Sequence, residues 1–228
     1  MAIAKKKTHK PPPHKKRVLI LDDHPVVRHG IAQRIHLESD LEICAETATA
    51  QEAFRLIEQL QPDVALVDIS LAEGNGLDLI KNLNSRGDAV KILVVSGHDE
   101  TMYAERCIRA GADGYLQKSE VIDKIVDAIR RVAADECYLS DAMTARTLKR
   151  ILSDKTQPSG SPIASLSDRE FQVYCLIGRG LTVNEIAENL FLSHKTIETY
   201  RAHLKDKLHL KNSNELTRHA IHWVLEHA

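Results

Sequence analysis

Short apolar runs, each ending in a polar residue, constrain the fold of this 228-residue chain more than any other feature. Four such pairs occur in the first half of the chain: Arg17-Val-Leu-Ile-Leu21 before Asp22-Asp23, Val64-Ala-Leu-Val67 before Asp68, Ile92-Leu-Val-Val95 before Ser96, and Gly114-Tyr-Leu116 before Lys118. Runs of this length, partly β-branched and separated by helical patterns, are typical of buried parallel strands. Together with a further run at 41–45, they predict an α/β fold, a doubly wound (βα)5 parallel sheet.

The polar residues behind these runs are expected to meet. Parallel strands deliver their carboxyl ends to one edge of the sheet, and ligands bind at that edge. The pattern therefore brings three carboxylates, one hydroxyl and one ammonium to the same place. Carboxylates that lie close together repel each other, and Mg²⁺ suits an all-oxygen, partly hydrated site of this kind. The sequence thus predicts a magnesium site suited to phosphate chemistry.

Composition points to a protein that stays in the cytoplasm. Mean hydropathy is −0.27, and no apolar stretch approaches the roughly 20 residues of a membrane helix. The N-terminus is basic but lacks the apolar segment of about 7–15 residues that marks a secretory signal. Four cysteines lie far apart without metal-ligand spacing, so we expect free thiols in a reducing compartment. They are Cys44, Cys107, Cys137 and Cys175.

Charge divides the chain into segments, although the net charge is only −1. Residues 1–16 carry six lysines and no acid, and with three consecutive prolines they predict a disordered basic tail. Residues 17–138 carry 13 basic and 22 acidic residues. Residues 139–164 form a linker, with one short helix including 148–152 and then the flexible Gln157-Pro-Ser-Gly-Ser-Pro162. Residues 165–228 hold eight charges of each sign. The tail could touch nucleic acid or be a solvated leader.

The polar positions carry a resemblance to a known family. Asp22-Asp23, Asp68, Ser96-Gly97 and the spacing of Tyr115 to Lys118 resemble the receiver domain of two-component response regulators over about 17–137. The resemblance implies that Asp68 accepts a phosphoryl group from a sensor histidine kinase. It also implies the metal ligands and partners of that site. Asp22, Asp23, Asp68 and the Ser70 carbonyl would hold Mg²⁺, Lys118 and Ser96 would contact the phosphoryl oxygens, and Tyr115 would switch from exposed to buried.

The loop after Asp68 departs from the family pattern. The family usually has Met-Pro where this chain has Leu71-Ala72. Alanine in place of proline is expected to loosen the loop, although it removes no catalytic group. Tyr115 also has a simpler interpretation, because an aromatic residue at a strand end is often a packing residue.

The last 64 residues show no strand pattern and predict four helices. Ser167-Asp-Arg-Glu170 is a capping box before a helix at Phe171–Ile177, and Thr182, Ser193 and Asn212 or Ser213 can cap three more. The short connection Phe191-Leu192-Ser193 has the spacing of a helix-turn-helix, whose second helix enters the major groove of DNA.

A second resemblance covers 165 to about 225. Leu166-Ser-x-Arg-Glu170, Glu185-Ile-Ala-x-x-Leu190, Lys195-Thr-Ile197 and Lys207-Leu208 resemble the LuxR-type DNA-binding domain, so the whole chain resembles the NarL/FixJ subfamily. The resemblance implies that the third helix contacts DNA and the fourth forms a dimer. The corresponding DNA-contact positions are Lys195, Thr196, Glu198, Thr199, Arg201, Ala202 and Lys205. The predicted dimer face is Leu216, Ala220, Trp223 and Val224, which could instead simply pack on the helix at 171–177.

The resulting hypothesis is a phosphorylation-controlled transcriptional regulator, not an enzyme, that dimerises on phosphorylation and binds an inverted-repeat operator. A Mg²⁺-dependent phosphohydrolase with an aspartyl-phosphate intermediate is the alternative. It would need a second general acid, typically an Asp two residues after Asp68, but Ser70 stands there. A regulator with a purely structural receiver is a third option, disfavoured by the complete acidic set. The kinase, the signal, the target genes, the sign of regulation and any masking of the DNA-binding helix stay open.

Overall fold

The computed structural model describes residues 15–72, 74–145 and 162–227 of the chain. The predicted basic tail up to residue 14 and the predicted helix and flexible linker at 146–161 lie outside the described residues. Residues 141–145 are helical up to the edge of the described part. None of the described helices is long and apolar enough to cross a membrane.

The first half folds as the predicted parallel sheet. Its five strands are β1 Lys16–Leu21, β2 Leu41–Thr47, β3 Val64–Val67, β4 Lys91–Ser96 and β5 Gly114–Gln117, in the order β2-β1-β3-β4-β5. Every neighbouring pair is parallel. Strand β1 begins at Lys16, which the sequence assigned to the tail, because its N–H donates to the Asp40 carbonyl and its ammonium pairs with Asp63 at 2.9 Å.

Five helices cover the two faces of the sheet. They are α1 Pro25–His36, α2 Ala50–Leu60, α3 Gly76–Arg86, α4 Glu100–Ala110 and α5 Val121–Ala133. Alternate residues of each strand face opposite cores. Leu19 and Leu21 pack in the core that includes residues of α2, α3 and α4, whereas Val18 and Ile20 pack with residues of α1 and α5. The helix starts are fixed locally, by Pro25 in α1 and by the side chain of Asp99 before α4.

The C-terminal part is the predicted set of four helices. These are α6 Asp168–Gly178, α7 Val183–Asn189, α8 His194–Lys207 and α9 Ser213–His227. The capping box is present at Ser167 and Glu170, and it starts α6 at Asp168, three residues before the predicted start. A second capping box joins Thr182 to Glu185, and Ser193 caps α8. Helices α7 and α8 are the helix-turn-helix pair.

The packing of α9 corrects the predicted dimer face. Leu216 and Ala220 are fully buried and Val224 is 8% exposed, while Trp223 meets the rings of Phe171 and Tyr174 of α6 edge-on, at 5.4 and 5.8 Å. All four therefore belong to the core between α6 and α9. A helical period reveals that a face is apolar but not which neighbour covers it. The apolar residues that α9 leaves exposed are Ile221 and Leu225.

The close approach of α6 and α9 predicts the effect of enlarging Gly178. A Cβ there would lie 2.5 Å from both the Ala220 carbonyl oxygen and a methyl group of Val224. We expect Gly178→Ala to lower the free energy of unfolding of the C-terminal domain by about 1–3 kcal/mol, measured by urea unfolding with Trp223 fluorescence.

Gly30→Ala is the matched control, because its Cβ would meet nothing nearer than 3.9 Å. Inside α1 this change should stabilise by about 0.5–1 kcal/mol, measured by circular dichroism. Equal stability of Gly178→Ala and wild type would contradict the packing described for α6 and α9.

Candidate functional site

The acidic residues predicted to meet do so at the carboxyl edge of the sheet. Asp22 and Asp23 follow β1, and Asp68 follows the adjacent β3, where its N–H donates to the Leu21 carbonyl at 2.8 Å. Asp22 and Asp68 are each only 1% exposed. Carboxylate oxygens of all three and a nitrogen of His24 lie within 4.8 Å of one another. The cluster therefore concentrates negative charge in a largely buried position.

Lys118, which follows β5, balances that charge. Its ammonium lies 2.7 Å from Oδ2 of Asp22 and 2.6 Å from Oδ2 of Asp68. Burial raises the pKa of Asp68 to about 6 despite the opposing effect of Lys118. Burial also disfavours the Lys118 ammonium, but Asp68 and Asp22 outweigh it and raise the pKa of that group. Lys118 is thus charged at neutral pH and holds the two carboxylates together.

Two carboxylate oxygens of the cluster lack a hydrogen-bond donor and could bind a cation. Oδ2 of Asp22 and Oδ1 of Asp23 are buried and accept no well-directed hydrogen bond, although an ionisable nitrogen lies 2.7 Å from each. Oxygens in this state fit a divalent ion, which prefers carboxylate ligands and needs no hydrogen-bond geometry. Asp22, Asp23 and Asp68 could therefore supply its protein ligands.

The loop after Asp68 makes two hydrogen bonds to the acidic cluster. Ala72 has an N–H where proline has none, and this N–H donates to Oδ2 of Asp23 at 2.7 Å. The N–H of Ser70 donates to Oδ1 of Asp68 at 3.0 Å. This charge-assisted hydrogen bond, which proline could not make, opposes the loosening expected of alanine at this position.

Ser96 and Tyr115, the two predicted switch residues, meet at a residue that the sequence did not identify. Ser96 is fully buried and its Oγ accepts a hydrogen bond from the N–H of His98 at 3.1 Å. Tyr115 is 1% exposed, and its hydroxyl donates to the carbonyl of His98 at 2.9 Å. Tyr115 thus occupies its inward position.

His98 also uses its side chain. Nε2 lies 2.6 Å from Oγ of Ser70, and the imidazole stacks on the ring of Tyr103 with 4.3 Å between centroids. Burial, with the nearby charges of Arg179 and Lys118, lowers the pKa of His98 to about 4. The ring is therefore neutral at pH 7. The one feature of the sequence that could have identified His98 as a site residue is its position two residues after the end of β4, at the carboxyl edge of the sheet.

Helix α8 presents the predicted DNA contacts on its outer side. Ile197 and Leu204 are fully buried and anchor the helix. Of the predicted contacts, Lys195, Glu198, Thr199 and Ala202 are exposed, and Thr196, Arg201 and Lys205 are half-buried. Arg201 lies 3.6 Å from Glu198 with a side chain 18% exposed, whereas the exposed Lys207 pairs with the buried Glu170 of α6 at 2.8 Å. The exposed face can therefore meet a nucleic acid without unfolding.

The bridging role of Lys118 predicts a metal-dependent stability effect. Lys118→Ala leaves two buried carboxylates without a cation, so the receiver should lose about 3 kcal/mol in EDTA. Added Mg²⁺ should then raise the melting temperature of this variant more than that of wild type. Thermal unfolding with and without Mg²⁺ measures both effects.

Lys124→Ala removes an equal charge from an exposed pair with Glu120 and serves as the control. It should match wild type under both conditions. A Mg²⁺ response of Lys118→Ala no larger than that of wild type would contradict the bridging role of Lys118.

Comparison with known proteins assigns both halves of the chain. Residues 18–130 match the response regulator receiver domain family, and residues 164–220 match the luxR family of bacterial regulatory proteins. The oxygen regulatory protein NreC of Staphylococcus carnosus is 32% identical over 209 residues, which are 90% of this chain and 96% of NreC.

Solved structures share the fold. A LuxR-family two-component response regulator from Aurantimonas sp. SI85-9A1 is 28% identical with a TM-score of 0.56, covering 61% of this chain and 99% of its own. RcsB of Salmonella enterica serovar Typhimurium, bound to promoter rprA with the phosphomimetic BeF3−, is 23% identical with a TM-score of 0.59, covering 91% and 99%. At that identity the likeness concerns the fold alone. With these matches over both halves, the chain belongs to the DNA-binding response regulators that join a receiver domain to a LuxR-type helix-turn-helix domain.

Proposed function

We propose that a sensor histidine kinase controls this regulator by transferring a phosphoryl group to Asp68. The observation that carries the proposal is the buried Asp68 carboxylate, held by the Lys118 ammonium at 2.6 Å and the Ser70 N–H at 3.0 Å beside two further carboxylates. A carboxylate oxygen of Asp68 attacks phosphorus, an O–P bond forms, and the N–P bond to the kinase histidine breaks. The departing imidazole keeps the bonding pair and takes a proton from solvent.

The surrounding residues stabilise the transferred group. Receiver domains generally bind Mg²⁺ at the acidic pocket, and such an ion, held by Asp22, Asp23, Asp68 and the Ser70 carbonyl, would neutralise phosphoryl charge. Once Asp68 carries the phosphoryl group as an acyl phosphate, the Lys118 ammonium loses one carboxylate partner and pairs with a phosphoryl oxygen. The Ser96 hydroxyl turns toward another phosphoryl oxygen.

The site favours a stored phosphoryl group over a hydrolytic cycle. A phosphohydrolase needs a general acid beside the nucleophile, and position 70 offers a serine hydroxyl already engaged by His98 at 2.6 Å. No titratable group replaces the missing acid at that position. The protein then works as a switch and not as an enzyme, in keeping with a family of transcriptional regulators.

The output is operator binding by a dimer. The exposed face of α8 would enter the major groove, with Lys195, Arg201 and Lys205 on phosphates and Glu198 near a cytosine amino group. Ile221 and Leu225 are the apolar residues that α9 leaves for a two-fold partner. Phosphorylation would promote this dimer on an inverted repeat. A protein that receives phosphoryl groups from a kinase and acts on DNA would work in the cytoplasm.

The acceptor assignment predicts a site-specific chemical modification. Acetyl phosphate with Mg²⁺ should add one phosphoryl group to the protein, detected by intact-mass spectrometry, and EDTA should abolish the addition. Asp68→Asn should take up none, whereas Asp78→Asn, an exposed carboxylate on α3, should behave as wild type. Equal labelling of Asp68→Asn and wild type would contradict the assignment.

The orientation of α8 predicts which lysines carry the salt dependence of DNA binding. Lys195→Ala or Lys205→Ala should weaken binding to all sequences and reduce the salt slope by about one unit, since each loses a phosphate contact. Electrophoretic mobility shifts across a salt series measure the slope.

Lys207→Ala is the contrast on the same helix, because its ammonium is paired with the buried Glu170 of α6. This change should cost stability and leave the slope of the folded protein intact. A slope reduced by Lys207→Ala and not by the other two would mean that α8 docks on its opposite face.

A further inference from the structure

One arginine of the receiver holds the start of the DNA-binding domain. The Arg106 guanidinium, on α4, donates to the carbonyls of Ile163 at 2.7 Å and Leu166 at 3.1 Å. It pairs with Asp168 at 3.2 Å and lies 4.0 Å from the centroid of the Phe171 ring. Arg106 therefore binds the beginning of α6 through hydrogen bonds, an ion pair and a cation–π contact.

Other contacts extend this attachment. The Lys81 ammonium, on α3, lies 2.6 Å from Asp168, and the Arg169 guanidinium donates to the carbonyl of Gly74 at 2.8 Å. Asp168 is only 11% exposed in its side chain, so two receiver cations share one largely buried carboxylate. We call this set of contacts between α3–α4 and α6 the docking contact.

The docking contact leaves the DNA-reading helix uncovered. Lys195, Glu198 and Thr199 of α8 are exposed while the domain is docked. These three side chains are therefore not covered by the receiver. What docking restrains is the position of the whole DNA-binding domain, and two such domains must be free to align on two half-sites.

Contacts from the phosphorylation site converge on His98. Its N–H donates to Oγ of Ser96, its carbonyl accepts from the Tyr115 hydroxyl, and its Nε2 lies 2.6 Å from Oγ of Ser70. The N–H of Ser70 in turn donates to the Asp68 carboxylate. One residue thus contacts the acceptor loop and both predicted switch residues.

The same residue touches the docking contact. The His98 ring stacks on Tyr103 of α4, at 4.3 Å and 13° between planes. Tyr103, only 3% exposed, meets Phe171 edge-on at 5.2 Å. Phe171 is the residue that also lies under Arg106. A continuous chain of contacts therefore leads from Asp68 through Ser70, His98 and Tyr103 to the DNA-binding domain.

We infer that His98 is a positioning residue that couples the state of Asp68 to the docking of the DNA-binding domain. The inference rests on the proposed phosphorylation of Asp68. When Asp68 is phosphorylated its carboxylate becomes an acyl phosphate, whose carbonyl oxygen accepts more weakly from the Ser70 N–H, and Ser96 turns away from the His98 N–H toward the phosphoryl group. His98 then shifts against Tyr103, the Phe171 contact loosens, and the domain is released to dimerise on DNA.

The test measures coupling in the full-length protein. Operator affinity is determined with and without beryllofluoride for wild type, for His98→Ala and for His36→Ala, an exposed histidine on α1. Wild type and His36→Ala should gain about tenfold on treatment. His98→Ala, with Asp22, Asp23, Asp68, Ser96 and Lys118 intact, should label with acetyl phosphate within about threefold of the wild-type rate, yet its affinity ratio should fall to within about twofold of one.

A merely structural role for His98 would change affinity equally in both states and leave the ratio untouched. Reciprocity adds a second readout, because operator DNA should raise the beryllofluoride affinity of wild type by the same factor and that of His98→Ala not at all.

Two further variants serve if His98→Ala does not fold. His98→Phe keeps the ring stacked on Tyr103 but loses the hydrogen bond to Ser70, so the ratio of its operator affinities with and without beryllofluoride should fall to about threefold. Arg106→Ala lacks the docking contact and should bind the operator without beryllofluoride as tightly as treated wild type does. A wild-type ratio in His98→Phe overturns the role of His98. If wild type itself does not respond to beryllofluoride, phosphorylation control fails first, and the inference fails with it.

Discussion

The ammonium of Lys118 stands between two buried carboxylates, and the rest of the receiver's chemistry depends on that arrangement. Asp22 and Asp68 follow adjacent strands and would repel each other strongly in a position shielded from water. With Lys118 2.6–2.7 Å from one oxygen of each, the cluster is stable but not saturated, since oxygens of Asp22 and Asp23 still lack directed hydrogen bonds. These carboxylate oxygens could act as ligands of a divalent cation, which would offset their remaining negative charge. The proposed phosphorylation of Asp68 would change this balance, because the Lys118 ammonium would then pair with a phosphoryl oxygen in place of the Asp68 carboxylate.

The two domains are joined by contacts of a different nature. Cations of the receiver, Arg106 and Lys81, meet one carboxylate and two carbonyls at the start of α6, and an aromatic edge contact lies beneath them. Asp168 and Arg106 are largely buried, but Lys81 is half exposed, and a pair with so exposed a cation contributes modestly to stability. Lys195, Glu198 and Thr199 of α8 stay exposed, which supports the proposal that control acts on the freedom of the domain to pair.

Much of the fold and of the acidic site could be predicted from sequence because both arise from local patterns. Apolar runs gave the strands, and the residues directly behind them, Asp22, Asp68 and Lys118, met as the geometry of parallel sheets requires. The capping boxes at Ser167 and Thr182 placed the helix starts within a few residues. The face of α9 was misassigned because periodicity does not distinguish an intradomain neighbour from a partner chain. His98 and Arg106 were missed because their roles consist of contacts with residues distant in sequence. The hydrogen bond of the Ala72 N–H was missed because it depends on Asp23, which only the folded chain brings close to it.

Hydrogen–deuterium exchange of the full-length protein, with and without beryllofluoride and Mg²⁺, measures whether the proposed change at Asp68 reaches the DNA-binding domain through the docking contact. We expect residues 100–110 of α4 and residues 162–178 to exchange faster on treatment, together and to a similar extent, while α5 is unchanged. Unchanged or slower exchange in both segments, with beryllofluoride bound at Asp68, would contradict this expectation.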